Sequence, residues 1–413
     1  MSAPQTFHPE PTLINAPAPT RCRACVIVPA RNEEATLPST LDALAAQQSP
    51  GAGGLDPETF EVILLLNNCT DRSLEAARAW KVSHPNFHLE IAELSLPPDD
   101  AHVGWARRLL MDTAWRRLGN SNDGPKGILS TDADTLADPY WIANNLAALA
   151  GGADAVGGVI RLKQGEYEKL SAGVQQAYRR DRQYQMLIAE LEDLLDPQIG
   201  DPWPRHLEHF GASLACTPEA YARAGGLPPV KPLEDVAFVD ALRRSGARLR
   251  HDPAVAVSTS ARLDGRAEIG LSHQLRLWKE MSDAGQPHRV PTVAALMHRF
   301  RTLSHLRQIY SGRGFQQLEK YSGRWPERIA GARQNACSVA EFLLELNCDQ
   351  LIGESAPRAL VGNIIQVNRN LDRAIARIRA ANAERESFLR KPSSAQAHNQ
   401  FTLPVRNAET GAI

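Results

Sequence analysis

The sequence predicts an α/β fold: a mostly parallel sheet flanked by helices, followed by a C-terminal helical extension. Three observations carry this. Short apolar runs alternate with stretches of helical periodicity from Ala24 to about Arg262. The first, second and fourth strand-like runs each end in a polar cluster: Arg31–Glu33, Asn67–Asp71 and Asp132–Asp134. From about residue 268 only helical patterns remain. Strands alternating with helices build parallel βαβ units with right-handed crossovers. Such sheets bind ligands outside the carboxyl ends of their strands, where all three polar clusters fall.

Taken in order, residues 1–22 are proline-rich and aperiodic, which suggests a mobile arm. Ala24-Cys25-Val26-Ile27-Val28-Pro29 is a short apolar run ended by proline, the pattern of a buried strand. In Arg31-Asn32-Glu33-Glu34, Asn32 suits an N-cap and the glutamates suit a helix N-terminus. Leu37, Leu41 and Leu44 then recur at helical spacing. Val62–Leu66 is a second strand, Ser73–Trp80 a helix, and His88–Leu94 a third strand. Val103–Leu118 is a helix holding Arg107 and Arg108, and Ile128–Ser130 is the fourth strand. Tyr140–Leu149 reads as a helix, Ala153–Ile160 as a strand, and 161–196 as one long helix or two. Gly200–His209 is a loop rich in Pro, Trp and His. Gly211-Ala212-Ser213-Leu214-Ala215 is small and apolar, and a helix and Gly225-Gly226 follow. Glu234-Asp235 opens an amphipathic helix that runs to Arg244, and Ala254–Val257 is a last short strand. The expected divisions are an arm at 1–22, a catalytic domain at 23–267, a helical region at 268–391 and a disordered tail at 392–413.

Composition narrows the function classes. Hydrophobic residues make up 43% and charged residues 23%, as in a water-soluble globular protein. A net charge of −1 gives no electrostatic signal for nucleic acid. No apolar run approaches the roughly 20 residues that span a bilayer. The N-terminus lacks the basic–apolar pattern of a secretion signal, so the expected location is the cytoplasm, with contact to the inner face of the membrane left open. Six dispersed cysteines suit reduced thiols rather than a disulfide framework. Cys22 and Cys25 form a lone CxxC, read as ordinary thiols rather than a zinc site. The arginines at 289, 299, 301, 307, 313, 324, 328 and 333 suit either an anionic-lipid surface or a solvated helical face. The interleaved acidic residues favour the solvated face.

The chemistry concentrates in two acidic centres. Asp132 and Asp134 stand one residue apart after a buried strand, which delivers both carboxylates to one place. They suit Mg²⁺ or Mn²⁺ held against a diphosphate, since these ions prefer oxygen ligands and substrate phosphates. Turn and capping chemistry is the plainer reading of such a pair alone. Asp134 is the first choice for direct coordination, with Asp132 holding a ribose or a metal-bound water. Glu234-Asp235 is the second centre, and a helix start with favourable acidic residues is its plainer reading.

In order along the chain, these pieces resemble a family 2 glycosyltransferase with the GT-A, Rossmann-like nucleotide-diphospho-sugar transferase fold. Val26–Glu34 is similar to the family's opening strand and loop, and Asn67–Asp71 to its second loop. Gly104-Trp105-Ala106-Arg107 is similar to the helix with a nucleotide-contacting arginine, and Asp132-Ala133-Asp134 to the metal motif. Gly211-Ala212-Ser213 and Gly225-Gly226-Leu227 precede Glu234-Asp235, which resembles the acceptor-side acidic motif. The resemblance implies that Pro29, Ala30, Arg31, Glu33, Asn67, Asp71, Arg107 and Asp132 bind the donor nucleotide. It implies a divalent metal on Asp134 and Asp132. Asp235 would be the general base of an inverting transfer, with Glu234 positioning it or the acceptor. Trp203, His206, His209 and Arg262 would stand on the side of a small-molecule or lipid-linked acceptor.

Two departures stand out. Many relatives carry an acidic residue directly before the second loop, where this chain has Leu66 followed by Asn67. Relatives often also supply a metal-binding histidine shortly after the last core strand, where this chain has Ser258-Thr259-Ser260-Ala261-Arg262. Arg262 or Arg266 would there offset the charge of a leaving diphosphate. Three other readings stay open: a retaining transferase, a nucleotidyltransferase of the same fold, and an inactive sugar-nucleotide-binding protein.

Overall fold

A computed structural model of the chain describes residues 7–51, 53–119, 124–265, 269–313, 321, 323–355 and 361–390. The sheet half of the chain comprises β1 (Ala24–Ala30), α1 (Leu37–Ala45), β2 (Phe60–Asn67), α2 (Ser73–Ser83), β3 (Leu89–Leu94), α3 (Val103–Leu118) and β4 (Gly127–Ser130). These are followed by β5 (Thr135–Ala137), α4 (Trp141–Ala150), β6 (Ala155–Leu162), α5 (Gln164–Tyr167), α6 (Ala172–Leu195), β7 (Leu214–Cys216), α7 (Pro218–Arg223), α8 (Glu234–Arg244) and β8 (Leu249–Thr259). One eight-stranded sheet runs in the order β3-β2-β1-β4-β7-β6-β8-β5. The first four strands are parallel. β7 runs antiparallel to both β4 and β6, β6 and β8 are parallel, and β5 is antiparallel to β8.

The apolar runs form strands because both faces of this sheet are covered. Val26, Val28, Leu64 and Leu66 pack against α1, α2 and α4, through Leu41, Trp80 and Trp141 among others. Cys25, Ile27, Ile63 and Leu65 pack against α3, α7 and α8, through Leu110, Tyr221 and Phe238. The Gly157–Gly158 step of β6 lets the 205–213 loop lie on the sheet. A Cβ at 157 would stand 2.4 Å from the Glu208 carbonyl, and one at 158 would stand 2.2 Å from Ser213 Oγ.

The structure differs from the sequence-based expectation in several places. β5 and β7 span three residues each, too short to show a period. β8 spans 11 residues, well beyond the expected Ala254–Val257. Its register against β6 shifts between Gly158 and Val159, and Pro253 sits in that irregularity, which interrupts the strand pattern. The stretch 161–196 holds two helices, α5 and α6, the second of its two expected forms, after the last two residues of β6.

Residues 7–22, expected as a mobile arm, form a strap on α3; residues 1–6 lie outside the described residues. Phe7 meets Trp115 and Tyr221 edge-on, at 4.9 and 5.5 Å between ring centroids. The Glu10 N–H donates to Asp112 Oδ2 (3.0 Å), the Leu13 N–H donates to Thr113 Oγ1 (3.0 Å), and Arg116 reaches the Pro9 and Glu10 carbonyls. The strap is held by partners from another element, so it needs no periodicity of its own. Arg108, expected in solvent, donates to Asp112 Oδ2 (2.6 Å) and to the carbonyls of His8, Gly225 and Leu227.

Cys22 and Cys25 are buried beside Glu61, to which Cys25 Sγ donates at 2.9 Å. Burial, the Cys22 thiol and the Glu61 carboxylate push the Cys25 thiol well up. Arg117 takes both Glu61 oxygens, so that carboxylate is committed to an ion pair.

The C-terminal region comprises α9 (Leu271–Asp283), β9 (Arg289–Pro291), α10 (Val293–Tyr310), α11 (Trp325–Asn335), α12 (Val339–Leu346), α13 (Cys348–Ser355), β10 (Val361–Asn363) and α14 (Ile364–Arg390). β9 and β10 form a two-stranded antiparallel pair where the sequence shows only helical patterns. Phe300, Leu306, Ile329, Phe342 and Leu371 build a core that also takes Tyr184 and Leu191 of α6. The expected boundary at 268 therefore does not separate two cores, because α6 belongs to both halves. Several of the arginines here are matched locally. Arg299 pairs with Asp349 (2.6 Å), Arg307 pairs with Asp196 (2.9 Å), and Arg328 lies over the Trp325 ring. Among the described residues no helix is long and apolar enough to cross a membrane. The tail at 392–413 lies outside the described residues.

Candidate active site

The Asp132–Asp134 turn leaves β4 at the sheet's carboxyl edge and is fixed from its middle. Ala133 is buried, and its carbonyl accepts from Thr40 Oγ1 of α1 (2.9 Å). The Thr135 N–H closes the turn on the Asp132 carbonyl (3.1 Å). With the central residue packed down, the two flanking carboxylates lie beside different cationic partners.

Asp132 faces Arg107. This guanidinium is 3% exposed and rises from the first turns of α3. Its Nη2 donates to Asp132 Oδ1 at 2.6 Å, and its Nη1 donates to Glu234 Oε1. Burial disfavours the charge on Arg107, but Glu234, Asp132 and Asp235 more than restore it and hold the group firmly protonated. Burial pushes Asp132 up to about 6; Arg107 works against this, and Asp134, Glu234 and Asp235 add to it.

Glu234 and Asp235 begin α8, where the helix dipole favours acidic residues. Leu233, directly before them, adopts φ +66°, a left-handed conformation unusual for a residue with a branched side chain. Glu234 is 5% exposed and bound to Arg107, whereas Asp235 is only partly buried. Asp235 Oδ2 accepts the Gly211 N–H at 2.8 Å. The Gly211 carbonyl in turn accepts from Ser130 Oγ of β4 (2.8 Å).

Gly211 also makes room for Arg107, because a Cβ there would stand 2.4 Å from Arg107 Cζ. Only glycine lets the guanidinium pass. Gly211 is a site residue that the sequence-based candidates omit. The available signal was a glycine at the start of a small apolar run before the acidic pair. Gly211→Ala is expected to displace Arg107, cost roughly 1–3 kcal/mol of stability and lower any transfer activity on the order of 100-fold. Urea unfolding combined with an assay of nucleoside diphosphate release checks this; wild-type behaviour in both would remove Gly211 from the site.

Asp134 faces Arg262, which follows β8. Arg262 Nη2 lies 2.9 Å from Asp134 Oδ2. The same guanidinium grips Glu33 through Nη2–Oε1 at 2.9 Å and Nη1–Oε2 at 3.2 Å. The Thr135 and Thr259 hydroxyls each approach Asp134 Oδ1 at 3.4 Å. Arg262 therefore stands with Asp134 and Glu33 rather than among the acceptor-side residues where it was expected. Glu33 is likewise occupied, with Thr36 Oγ1 also donating to it at 2.7 Å. Arg266 lies outside the described residues.

This geometry tests the expected divalent cation. Both carboxylates of the turn already hold a guanidinium, and the segment directly after β8, Ser260-Ala261-Arg262, offers no histidine. Among the described residues, the one group of three Cys, His, Asp or Glu ligand atoms lying mutually within 4.8 Å is Cys22, Cys25 and Glu61, away from this turn. As arranged, a cation on Asp132 or Asp134 would have to share that carboxylate with Arg107 or Arg262 or displace the guanidinium.

The first two loops are bound to each other. Asn32, expected as an N-cap, adopts φ +54°, and Thr36 occupies the cap position of α1 instead. Asn32 exchanges hydrogen bonds with Thr70, whose N–H donates to Oδ1 at 2.7 Å. Asp71 accepts from the N–H groups of Glu34 and Ser73 and from Ser73 Oγ, which pulls its carboxyl below the usual range against the opposing effect of burial. Its oxygens tie the loops together. Arg31 is exposed and donates to the Ala101 carbonyl (3.0 Å), Ala30 is buried, and Pro29 is partly covered. Asn67 ends β2 buried, and its Oδ1 has no partner among the described residues.

Of the expected acceptor-side residues, Trp203 is exposed on its loop. His206 is buried, and its Nδ1 accepts the Glu208 N–H at 3.0 Å. His209 Nδ1 lies 3.1 Å from His251 Nε2, and His251 Nδ1 lies 2.7 Å from Asp201 Oδ2. His206 and His209 therefore belong to packing under the loop. Burial holds both down to about 3, helped by His251 at His206 and by Arg243 at His209. An unfolded chain protonates both near 6.5, so below that pH the unfolded state binds more protons and stability falls as pH drops toward 3. Between pH 6.5 and 5 the slope from each histidine rises toward about 1.4 kcal/mol per pH unit, while Asp132, held up at about 6, contributes in the opposite direction. Urea midpoints across that window should flatten in a His206→Gln/His209→Gln variant; an unchanged slope would refute the assignment.

Residues 25–91 match the family model described as Glycosyl transferase family 2. No curated protein sequence matches the chain. Among solved structures, similarity is found to the mannosyltransferase PcManGT from Pyrobaculum calidifontis in complex with GDP-Man and Mn²⁺. The identity is 19%, covering 91% of this chain and 84% of that one, with a TM-score of 0.45. S. aureus TarS residues 1–349 are 12% identical over 80% of this chain and 91% of that one, at TM-score 0.36. Glucosyl-3-phosphoglycerate synthase from Mycobacterium tuberculosis, in complex with Mn²⁺, UDP and phosphoglyceric acid, is 18% identical over 65% of this chain and 81% of that one, at TM-score 0.34. The stretch matched by the glycosyl transferase family 2 model holds β1, β2, the start of β3 and the first two loops of the candidate site.

Proposed function

We propose that the chain transfers a sugar from a nucleotide-diphospho-sugar to an acceptor hydroxyl with inversion at the anomeric carbon. The observation that carries this is the Asp132–Arg107–Glu234 bridge. One buried guanidinium joins the turn expected to meet the donor to the helix start expected to meet the acceptor. Asp235, next to Glu234, is partly exposed, and the Gly211 N–H orients its carboxylate. That combination suits a base that takes the acceptor's proton, given hydrogen-bond reach to the hydroxyl. Glu234, Arg107 and Gly211 position it.

On the donor side, Pro29, Ala30, Arg31 and Asn67 remain the candidates for the nucleotide. The buried Asn67 Oδ1, without a partner among the described residues, supports a base-edge contact, because an orphaned acceptor gains most from an N–H donor. Both uracil and guanine offer one, so this contact alone selects neither. Arg107 acts in this reading through Asp132 rather than by touching the nucleotide. Trp203, exposed beside the 205–213 loop, is the remaining candidate for stacking on an acceptor.

A thermal-shift screen of nucleotide-diphospho-sugars against the full chain tests the reading. A rise in Tm with one donor and its nucleoside diphosphate, absent with the free sugar, is expected. No shift with any donor would sink it.

A further inference from the structure

Arg262 stands where the sequence resemblance placed a metal ligand, and its surroundings are built to hold it there. The segment after β8 is pinned by Glu166 of α5, whose Oε2 accepts from Ser260 Oγ (2.8 Å) and from the Ala261 N–H (2.7 Å). The Arg262 N–H donates to Ser260 Oγ at 3.2 Å. The guanidinium then lies between two largely buried carboxylates, with side-chain exposures of 7% for Glu33 and 13% for Asp134, while its own side chain is 34% exposed. Two acidic groups hold one cation and leave part of it open to the site. A guanidinium carries five N–H donors in a planar fork, more than its three contacts to Glu33 and Asp134 use.

We propose that Arg262, clamped by Glu33 and Asp134, is the cation that meets the donor's diphosphate, so that donor binding needs no divalent ion. This rests on the proposed glycosyl transfer. In the step itself the acceptor oxygen bonds to the anomeric carbon as the bond from that carbon to the β-phosphate oxygen breaks. The electron pair stays on the phosphate, and the acceptor's proton passes to Asp235. The growing negative charge on the diphosphate faces a guanidinium fixed before the reaction, where it is worth more than a cation free in water. A metal ion on Asp134 would have to displace the guanidinium or share one carboxylate with it against like-charge repulsion.

Calorimetric titration of the full chain with UDP and GDP, each in EDTA and in Mn²⁺, tests this. Wild type is expected to bind one of them with affinity that differs less than about 2-fold between the two conditions, well below one charge-assisted hydrogen bond. Arg262→Gln should weaken that binding roughly 10- to 100-fold in EDTA, the size of one such bond lost. Arg262→Lys should recover part of it, and the parent nucleoside should bind both variants as it binds wild type. Melting curves establish that the variants are folded, and Arg262→Lys keeps the charge on Glu33 and Asp134 if Arg262→Gln is not. Binding that vanishes in EDTA and returns with Mn²⁺ would overturn this proposal and leave the donor reading intact. Absence of binding to either nucleotide in both conditions would overturn the donor reading and this proposal with it.

Discussion

Asp235→Asn is expected to bind nucleoside diphosphate as wild type does and to lose transfer by about 100- to 10,000-fold, the usual contribution of a positioned general base. Three features make the substitution clean. Asp235 lies in the first turn of α8, and an amide of the same shape keeps an oxygen for the Gly211 N–H while giving up the local bond from the Val236 N–H. Glu234, not Asp235, forms the ion pair with Arg107. The lost function is therefore the capacity to take a proton. Glu234→Gln should behave differently, because it removes a partner of a buried guanidinium and disturbs stability as well as rate. Comparing kcat and melting temperature for the two variants separates base from positioning residue. Full turnover by Asp235→Asn would remove Asp235 from the mechanism.

The second large effect is on folding. Arg107→Met should destabilise the protein by roughly 3–5 kcal/mol, chiefly the cost of leaving the buried Glu234 charge without its partner, with the more exposed Asp132 adding less. Arg107 is almost wholly buried, and Asp132 and Glu234 both depend on it. The stranded carboxylates would hold protons more tightly in the fold than in the unfolded chain. The deficit should therefore shrink as pH falls and those groups become neutral. Arg107→Lys keeps the charge but not the fork that reaches both acids, so an intermediate loss is expected. Urea unfolding at neutral and mildly acidic pH checks both points; a deficit independent of pH would contradict this role for Arg107.

Much of the scaffold was legible because buried parallel strands are written as continuous apolar runs. Cys25–Val28, Val62–Leu66 and Ile128–Leu129 needed no tertiary information to be recognised. β5 and β7 were not legible, since three residues cannot display a period and their pairing depends on partners far away in the chain. The same limit explains the strap at 7–22, whose order comes from the polar face and aromatics of α3.

In the candidate site, positions were easier to read than partners. The turn at 132–134 follows β4 at the sheet edge where the strand order put it, and the pair at 234–235 begins α8 as its helical pattern indicated. That Arg107 would bind both centres, that Glu33 and Asp134 would share Arg262, and that Asp71 would tie two loops together could not be read. Each depends on which side chain meets which across separations from 25 to 229 residues. Gly211 shows the limit most clearly. Its role follows from the path of the Arg107 side chain, and nothing in the residues around Gly211 hints at that path.

The most direct test of the central claim follows the released nucleoside diphosphate and the first-formed sugar anomer by NMR, with the full chain and the donor found by thermal shift. Release with inverted configuration, lost in Asp235→Asn while nucleotide binding persists, is the predicted result. Release with retained configuration, or at an equal rate in Asp235→Asn, would contradict it.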